Sequence, residues 1–318
     1  MKTFDLPEAD SLPDSIQFSP DGRSLAAQRH DGRVQVLDTE SGELTAAFSG
    51  KSWRVGVPGV GFNAEGSAVV FFGGDRFGSV HRYDLRTGRV SELKGGREVA
   101  WSPRGDLDVC ASPSDGRSVF VSLDVDKGTV EIQALDPDTG EVKFAFARQR
   151  TYLRELAASP DGDWVAGCSA KDVRVWHVGA GKRPKRAKWH VQDLRTPCFG
   201  NLALSHGGEY IATGGYLARS GRVRVWALKT GEEQEFREVA PLGGGVAFAG
   251  GRPLLAFTQV QYSNDRPGEV IFWDAAGQRE VARYDWGVGP IEAVAFSRDG
   301  MRCATAGKSK AVIWDVDV

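Results

Sequence analysis

Two sets of residues in this 318-residue chain carry chemistry that a fold would have to position. The first is a series of arginines close to aromatic rings: Trp53 and Arg54, Arg97, Arg150 and Tyr152, Arg195, and Trp286. A guanidinium grips carboxylates and phosphates through paired hydrogen bonds. Arginine and aromatic residues are also enriched where interfaces concentrate their binding energy. This set predicts binding of a protein or peptide partner that is acidic or phosphorylated. The second set is the run GKRPKRAKWH at residues 181–190, which places Lys182, Arg183, Lys185, Arg186 and Lys188 within seven positions. Such a loop suits an anionic surface or nucleic-acid phosphates, although one short loop supplies few contacts and little affinity alone.

Catalytic arrangements are not visible. The chain has no GxSxG, no HExxH and no Walker loop. The Gly-rich string GGYLARSG at 214–221 has no helix after it to cradle a phosphate. The string DPDTGE at 136–141 lacks the later Gly and Glu of a calcium loop. The five histidines, His30, His81, His177, His190 and His206, are scattered. Four cysteines, Cys110, Cys168, Cys198 and Cys303, show no metal-ligand spacing, and three sit in apolar runs. They are expected to be buried, reduced thiols, which points to a cytoplasmic protein. The expectation is a chain that is not an enzyme and takes no cofactor or metal.

The charge balance is nearly even, 40 basic against 42 acidic residues, net −2. That argues against broad nucleic-acid binding, which shows as a basic excess. No apolar window is long enough to cross a membrane. The opening MKTFDLPEAD carries acids and no apolar core, unlike a secretory signal.

The elements that must hold these residues announce themselves as a repeat. FSPDGRSLAA, ASPSDGRSVFVS, ASPDGDWVAG and FSRDGMRCAT are near copies; FNAEGSAVVF, LSHGGEYIAT and FAGGRPLLAF are weaker ones. Their turn glycines, Gly22, Gly66, Gly116, Gly162, Gly208, Gly251 and Gly300, recur every 43 to 50 residues. After each comes a β-rich run and then a second one: VQVLD, VHRYD, VEIQALD, VRVWHV, VRVWAL, VIFWDA and AVIWDV. Apolar residues alternate in most, as half-buried strands require. A turn with Gly follows, at Gly42, Gly88, Gly140, Gly181, Gly231 and Gly277, where a left-handed residue is needed. A further strand comes next. Periods of this size with four strands each are the mark of propeller blades.

The sum predicts an all-β chain, one domain over residues 1–318, built as seven four-stranded antiparallel blades. Their approximate bounds are 9–50, 51–96, 97–148, 149–194, 195–239, 240–285, and 286–318 joined with 1–8. Residues 97–106 look like an extra strand and turn, so either Gly105 or Gly116 marks the first turn of blade 3. The last repeat ends without its fourth strand, and Met1–Leu6 have no other blade to join. The N-terminal segment is therefore expected to close the ring as the outer strand of blade 7.

These SPDG turns, VRVW and IFWD strands and DxxTG turns, in register seven times, resemble the WD-repeat (WD40) family across nearly the whole chain. The resemblance implies a seven-bladed propeller and the family's usual role, a rigid scaffold for proteins and peptides. The departures are specific. No histidine follows a glycine, so the family's Gly-His dipeptide is absent and its His–Ser/Thr–Asp–Trp network cannot form in full. Trp176, Trp226, Trp273 and Trp314 hold the family's tryptophan position, while Leu37 and Tyr83 replace it. Such degenerate repeats look like the bacterial branch of the family. The leading expectation is a protein-interaction scaffold binding through its top face. The alternatives are a lactonase-like propeller hydrolase with a channel metal, and an anion or nucleic-acid binder using Lys182–Lys188.

Overall fold

A computed structural model describes residues 1–6, 11–29, 31–49, 59–73, 79–93, 110–111, 113–126, 129–151, 153–169, 172–179, 184, 188–192, 201–215, 221–239, 245–259 and 268–317. The described strands form seven sheets of four, each antiparallel throughout. Helical structure among these residues is confined to 3-10 turns, at His206–Gly208 and at Gly179. The chain is a seven-bladed β-propeller.

Strands are lettered a to d from the ring centre outward. Blade 1 shows the pattern: a is Pro13–Phe18, b is Ser24–Arg29, c is Arg33–Asp38 and d is Leu44–Ser49. From blade 3 to blade 7 successive a strands touch one another, and the a strand of blade 1 meets those of blade 7 (Ala293–Phe296) and blade 2 (Val60–Phe62). The alternation predicts half-buried c strands, but sandwiching between neighbouring blades buries both faces, as in Val34, Gln35, Val36 and Leu37 of blade 1. Their apolar faces pack against the neighbouring blade, giving seven hydrophobic clusters, one for each pair of adjacent blades. No blade can bury its faces alone, so stability belongs to the seams.

The ring closes as expected. Lys2–Asp5 pair antiparallel with strand c of blade 7, Lys2 opposite Ile313 and Asp5 opposite Lys310. The Leu6 N–H donates to the Ser309 carbonyl at 2.7 Å. Leu6, 1% exposed, joins the core between blades 7 and 1, and Phe4 packs against the same core. Burying a leucine side chain of this kind contributes about 2 kcal/mol.

The a–b turns are nearly uniform. In blade 1 the Gly22 N–H donates to the Ser19 carbonyl, the Ser19 hydroxyl to Asp21, and the Ser24 N–H to the Ser19 hydroxyl. The same pattern holds at Ser159–Trp164 and Ser297–Arg302. All seven turn glycines have a positive φ. In blade 3 the turn is made at Gly116, whose N–H donates to the Pro113 carbonyl. That settles the choice the sequence left open; residues 97–106 lie outside the described residues.

One turn departs from expectation. Gly42, Gly88, Gly140 and Gly231 hold the left-handed position of their c–d turns, and Gly181 lies outside the described residues. In blade 6 the position falls to Gln278, φ 51°, not to Gly277. The turn DAAGQ has its glycine one residue early. There it meets a different need, since a Cβ on Gly277 would lie 2.4 Å from the Asp274 carboxylate.

Candidate functional site

Strand alternation puts the d–a and b–c connections at one end of the ring, the top face, and the a–b and c–d turns at the other. Most of the arginine and aromatic positions singled out above belong to d–a connections. Trp53, Arg54, Arg97, Tyr152 and Arg195 lie outside the described residues. Arg150 is exposed just beyond strand d of blade 3 (Val142–Gln149). Trp286 is half-buried. Its ring lies 5.3 Å from Tyr284, nearly parallel, and 4.1 Å from Trp314. It therefore packs into the seam between blades 6 and 7. Of the basic run, Lys182, Arg183, Lys185 and Arg186 lie outside the described residues. Lys188 is exposed, with its N–H donated to the Val175 carbonyl.

The ring centre holds a cavity of about 230 Å³ lined by a strands and the loops beside them. Two carboxylates stand in its wall, Asp14 of blade 1 and Glu155 of blade 4. The Leu202 N–H donates to Glu155 Oε1 at 2.7 Å, which ties blade 5 to blade 4. Glu155 Oε2 is buried and has no hydrogen-bond partner among the described residues. Burial disfavours the charged carboxylate and pushes its pKa up to about 8, only partly opposed by the Leu202 bond. No three His, Cys, Asp or Glu side chains among the described residues come together as a metal centre.

Blade 4 carries a dense polar cluster around Asp172. The Ser169 hydroxyl donates to Asp172 Oδ1. The guanidinium of Arg174 donates to Asp172 Oδ2 at 2.7 and 3.0 Å. His190 Nε2 lies 2.9 Å from the same oxygen. Burial works against ionisation of Asp172, but the bonds from Ser169, His190 and Arg174 outweigh it and hold the carboxyl below its usual range. With no Gly-His dipeptide to complete the family's network, this blade uses the outer-strand His190 instead. Arg174 also donates to Gln149 of blade 3, which locks that seam near the top face.

The opposite face holds a site that the sequence reading missed. Between blades 3 and 4 there is a cavity of about 360 Å³ whose lining includes Asp115, Ser118, Phe120, Phe144, Asp161 and Asp163. The faint signal in the sequence was ASPSDG, where an extra residue separates Ser112 from Asp115.

With this geometry in view, the likeness to known proteins can be placed. Residues 146–177 match the family model described as WD domain, G-beta repeat. The chain is a seven-bladed propeller that carries a WD-repeat match and is similar to WD-repeat proteins. The matched segment starts in strand d of blade 3 and ends with strand c of blade 4, at His177. Each sequence repeat thus begins one strand before its blade, the same stagger that makes Lys2–Asp5 the outer strand of blade 7. Relatives carry the name too. The chain is 34% identical to WD repeat-containing protein SL1-17 of Schistosoma mansoni over 42% of this chain and 43% of that protein. It is 23% identical to WD repeat-containing protein 1 of Gallus gallus over 97% of this chain and 54% of that one. It is 22% identical to the Periodic tryptophan protein 2 homolog of Dictyostelium discoideum over 58% of this chain and 19% of that one. The chain spans from about a fifth to about half the length of these relatives.

Proposed function

We propose that this propeller is a non-enzymatic scaffold that binds an acidic or phosphorylated protein segment on its top face. The observation that carries this reading is the difference between the two ends of the ring. The a–b turns repeat one design, from residues 19–23 in blade 1 to residues 297–301 in blade 7. The d–a connections range from residues 150–154 to residues 93–109. Although the end with the a–b turns also has one long c–d connection, residues 178–188 of blade 4, those uniform turns leave specificity to connections that vary, chiefly the d–a connections. Arg150 stands there exposed, and Arg54, Arg97 and Arg195 fall in the same class of connection. The family's general role as a rigid platform for protein partners supports the reading.

A cytoplasmic location fits the thiols. Cys168 and Cys303 are thiols buried in b strands, and burial raises the Cys303 pKa well above that of an exposed thiol. No helix among the described residues is long and apolar enough to cross a membrane.

The test is an array of acidic and phosphorylated peptides, probed with the wild type and with the double variant Arg150→Glu/Arg195→Glu. Peptides held by the wild type should lose at least tenfold in affinity, since two attractive charges become repulsive. Equal binding by the variant would remove the top face from the account. Loss of binding to uncharged peptides alone would remove the acidic partner.

A further inference from the structure

The seams between blades differ in one respect on the face opposite the variable connections. At four of them a large side chain near the start of strand b reaches across to the next blade. Arg302 of blade 7 donates to the Gly22 carbonyl at 2.7 Å and to the Thr39 hydroxyl at 3.3 Å, with its guanidinium over the Phe18 ring. Arg252 of blade 6 donates to the Gly300 and Val316 carbonyls. Trp164 of blade 4 covers Gly208, where an added Cβ would fall 2.4 Å from the indole. Tyr210 of blade 5 packs against the core that blade 5 shares with blade 6. These residues stopper their seams.

Blade 3 has Ser118 at this position, too short to cross. The two seams before it, which also start strand b with a small residue, close differently. Gly66 approaches Ser19 and Pro20, and Gly116 lies directly on the Asn63 backbone. Between blades 3 and 4 the short Asp115 carboxylate reaches across to Gly162, and beside it a cavity of about 360 Å³ remains. Phe120, Phe144 and Val178 supply its apolar wall, and Gly162 stands where Gly22 and Gly300 stand at the arginine-stoppered seams.

The electrostatics of this cleft are unusual too. In blades 1, 4 and 7 the turn aspartate accepts a serine hydroxyl, from Ser19, Ser159 and Ser297. In each, burial is outweighed by those bonds, and Asp21, Asp161 and Asp299 stay below the ordinary carboxylate range. In blade 3 the residue at the serine position is Pro113, which has no hydroxyl to give. The Asp115 side chain is 5% exposed, accepts the Arg117 N–H, and has Arg117 Nε only at 3.8 Å. Desolvation prevails, and its pKa is raised. The lining holds three carboxylates, Asp115, Asp161 and Asp163, against two bases. Of the bases, Arg117 is 73% exposed, and Lys143 is engaged by Asp136 and the Arg117 carbonyl.

We propose that the cleft between blades 3 and 4 is a second docking site, which takes an arginine side chain from an extended segment of a partner protein. The guanidinium supplies to Asp115 the donors that Pro113 cannot. Its stem lies against Phe120 and Phe144, as Arg302 lies against Phe18. Its planar donors reach the Gly162 carbonyl as Arg302 and Arg252 reach their turn glycines. The site is on the face opposite Arg150 and stands independently of the scaffold's top-face reading.

The experiment is calorimetric titration of the full chain with a blocked pentapeptide, acetyl-Gly-Ser-Arg-Ser-Gly-amide, and with the same peptide carrying glutamine in place of arginine. The arginine peptide binds and the glutamine peptide binds at least tenfold more weakly. Asp115→Asn weakens the arginine peptide about tenfold, the loss of one charge-assisted hydrogen bond. Ser118→Arg, which supplies the missing stopper from within, abolishes binding without lowering the melting temperature. Equal binding of both peptides, no binding by the wild type, or undiminished binding by Ser118→Arg would each overturn the proposal.

Discussion

The seam between blades 7 and 1 and the seam between blades 3 and 4 are made from the same repeat and solve closure differently. At the first, the chain ends meet in one sheet, Leu6 and Phe4 pack against the shared core, and Arg302 crosses to Gly22 and Thr39. At the second, the inner faces pack around Phe120, Phe146, Leu156 and Trp176, yet below them only the short Asp115 carboxylate reaches Gly162 and a cavity remains. The difference teaches that the repeat specifies the blade, while single residues at the start of strand b specify how tightly neighbours join. Arg302 and Ser118 occupy the same place after their turn glycines, Gly300 and Gly116. One closes its seam and the other leaves room for something else.

The largest effect comes from undoing the first seam. Deletion of residues 1–8 removes the four-residue ladder to blade 7, the buried Leu6 and the Phe4 contact. The cost is about 5 kcal/mol, which lowers the melting temperature by about 10 °C. Calorimetry checks it, and an unchanged melt would break the closure at its strongest point.

A smaller effect is expected at the seam beside the second, between blades 4 and 5, where Glu155 bonds to Leu202. In the folded state Glu155 keeps its proton up to pH about 8, whereas in the unfolded chain it ionises near 4.5. The folded state therefore binds more protons between these values, and stability falls as pH rises through that window. The contribution is fully present below pH 4.5 and lost as pH passes 8. Glu155→Gln keeps an acceptor for the Leu202 N–H and removes the charge. It should match the wild type near pH 4 and exceed it by on the order of 2 kcal/mol at pH 8. Urea unfolding at the two pH values measures this, and a variant with the same pH dependence as the wild type would show that Glu155 is not the titrating group.

Much of the fold was legible because it rests on local rules repeated seven times. Turn glycines at fixed intervals gave the blades, and the missing last strand gave the ring closure. What was hidden depends on one-residue offsets and on contacts across seams. Gln278 takes the left-handed position because the glycine of DAAGQ comes one residue early. Asp115 stands out only once Pro113 is seen to occupy the serine position of its turn. Trp286 reads as a surface aromatic in sequence, yet its neighbours Tyr284 and Trp314 draw it into a seam. Blade 4 keeps its tryptophan, Trp176, while its polar network recruits His190 from the outer strand, a pairing that sequence separation conceals.

The central claim is that a crossing side chain makes a seam tight. Native-state hydrogen exchange tests it most directly, because local opening follows local packing. The amides of the a–b turn at residues 19–23, under Arg302, should exchange slowly. Those of residues 159–163, beside the open cleft, should exchange at least tenfold faster. Equal protection at the two turns would contradict the account, since the seams would then be equally tight whatever crosses them.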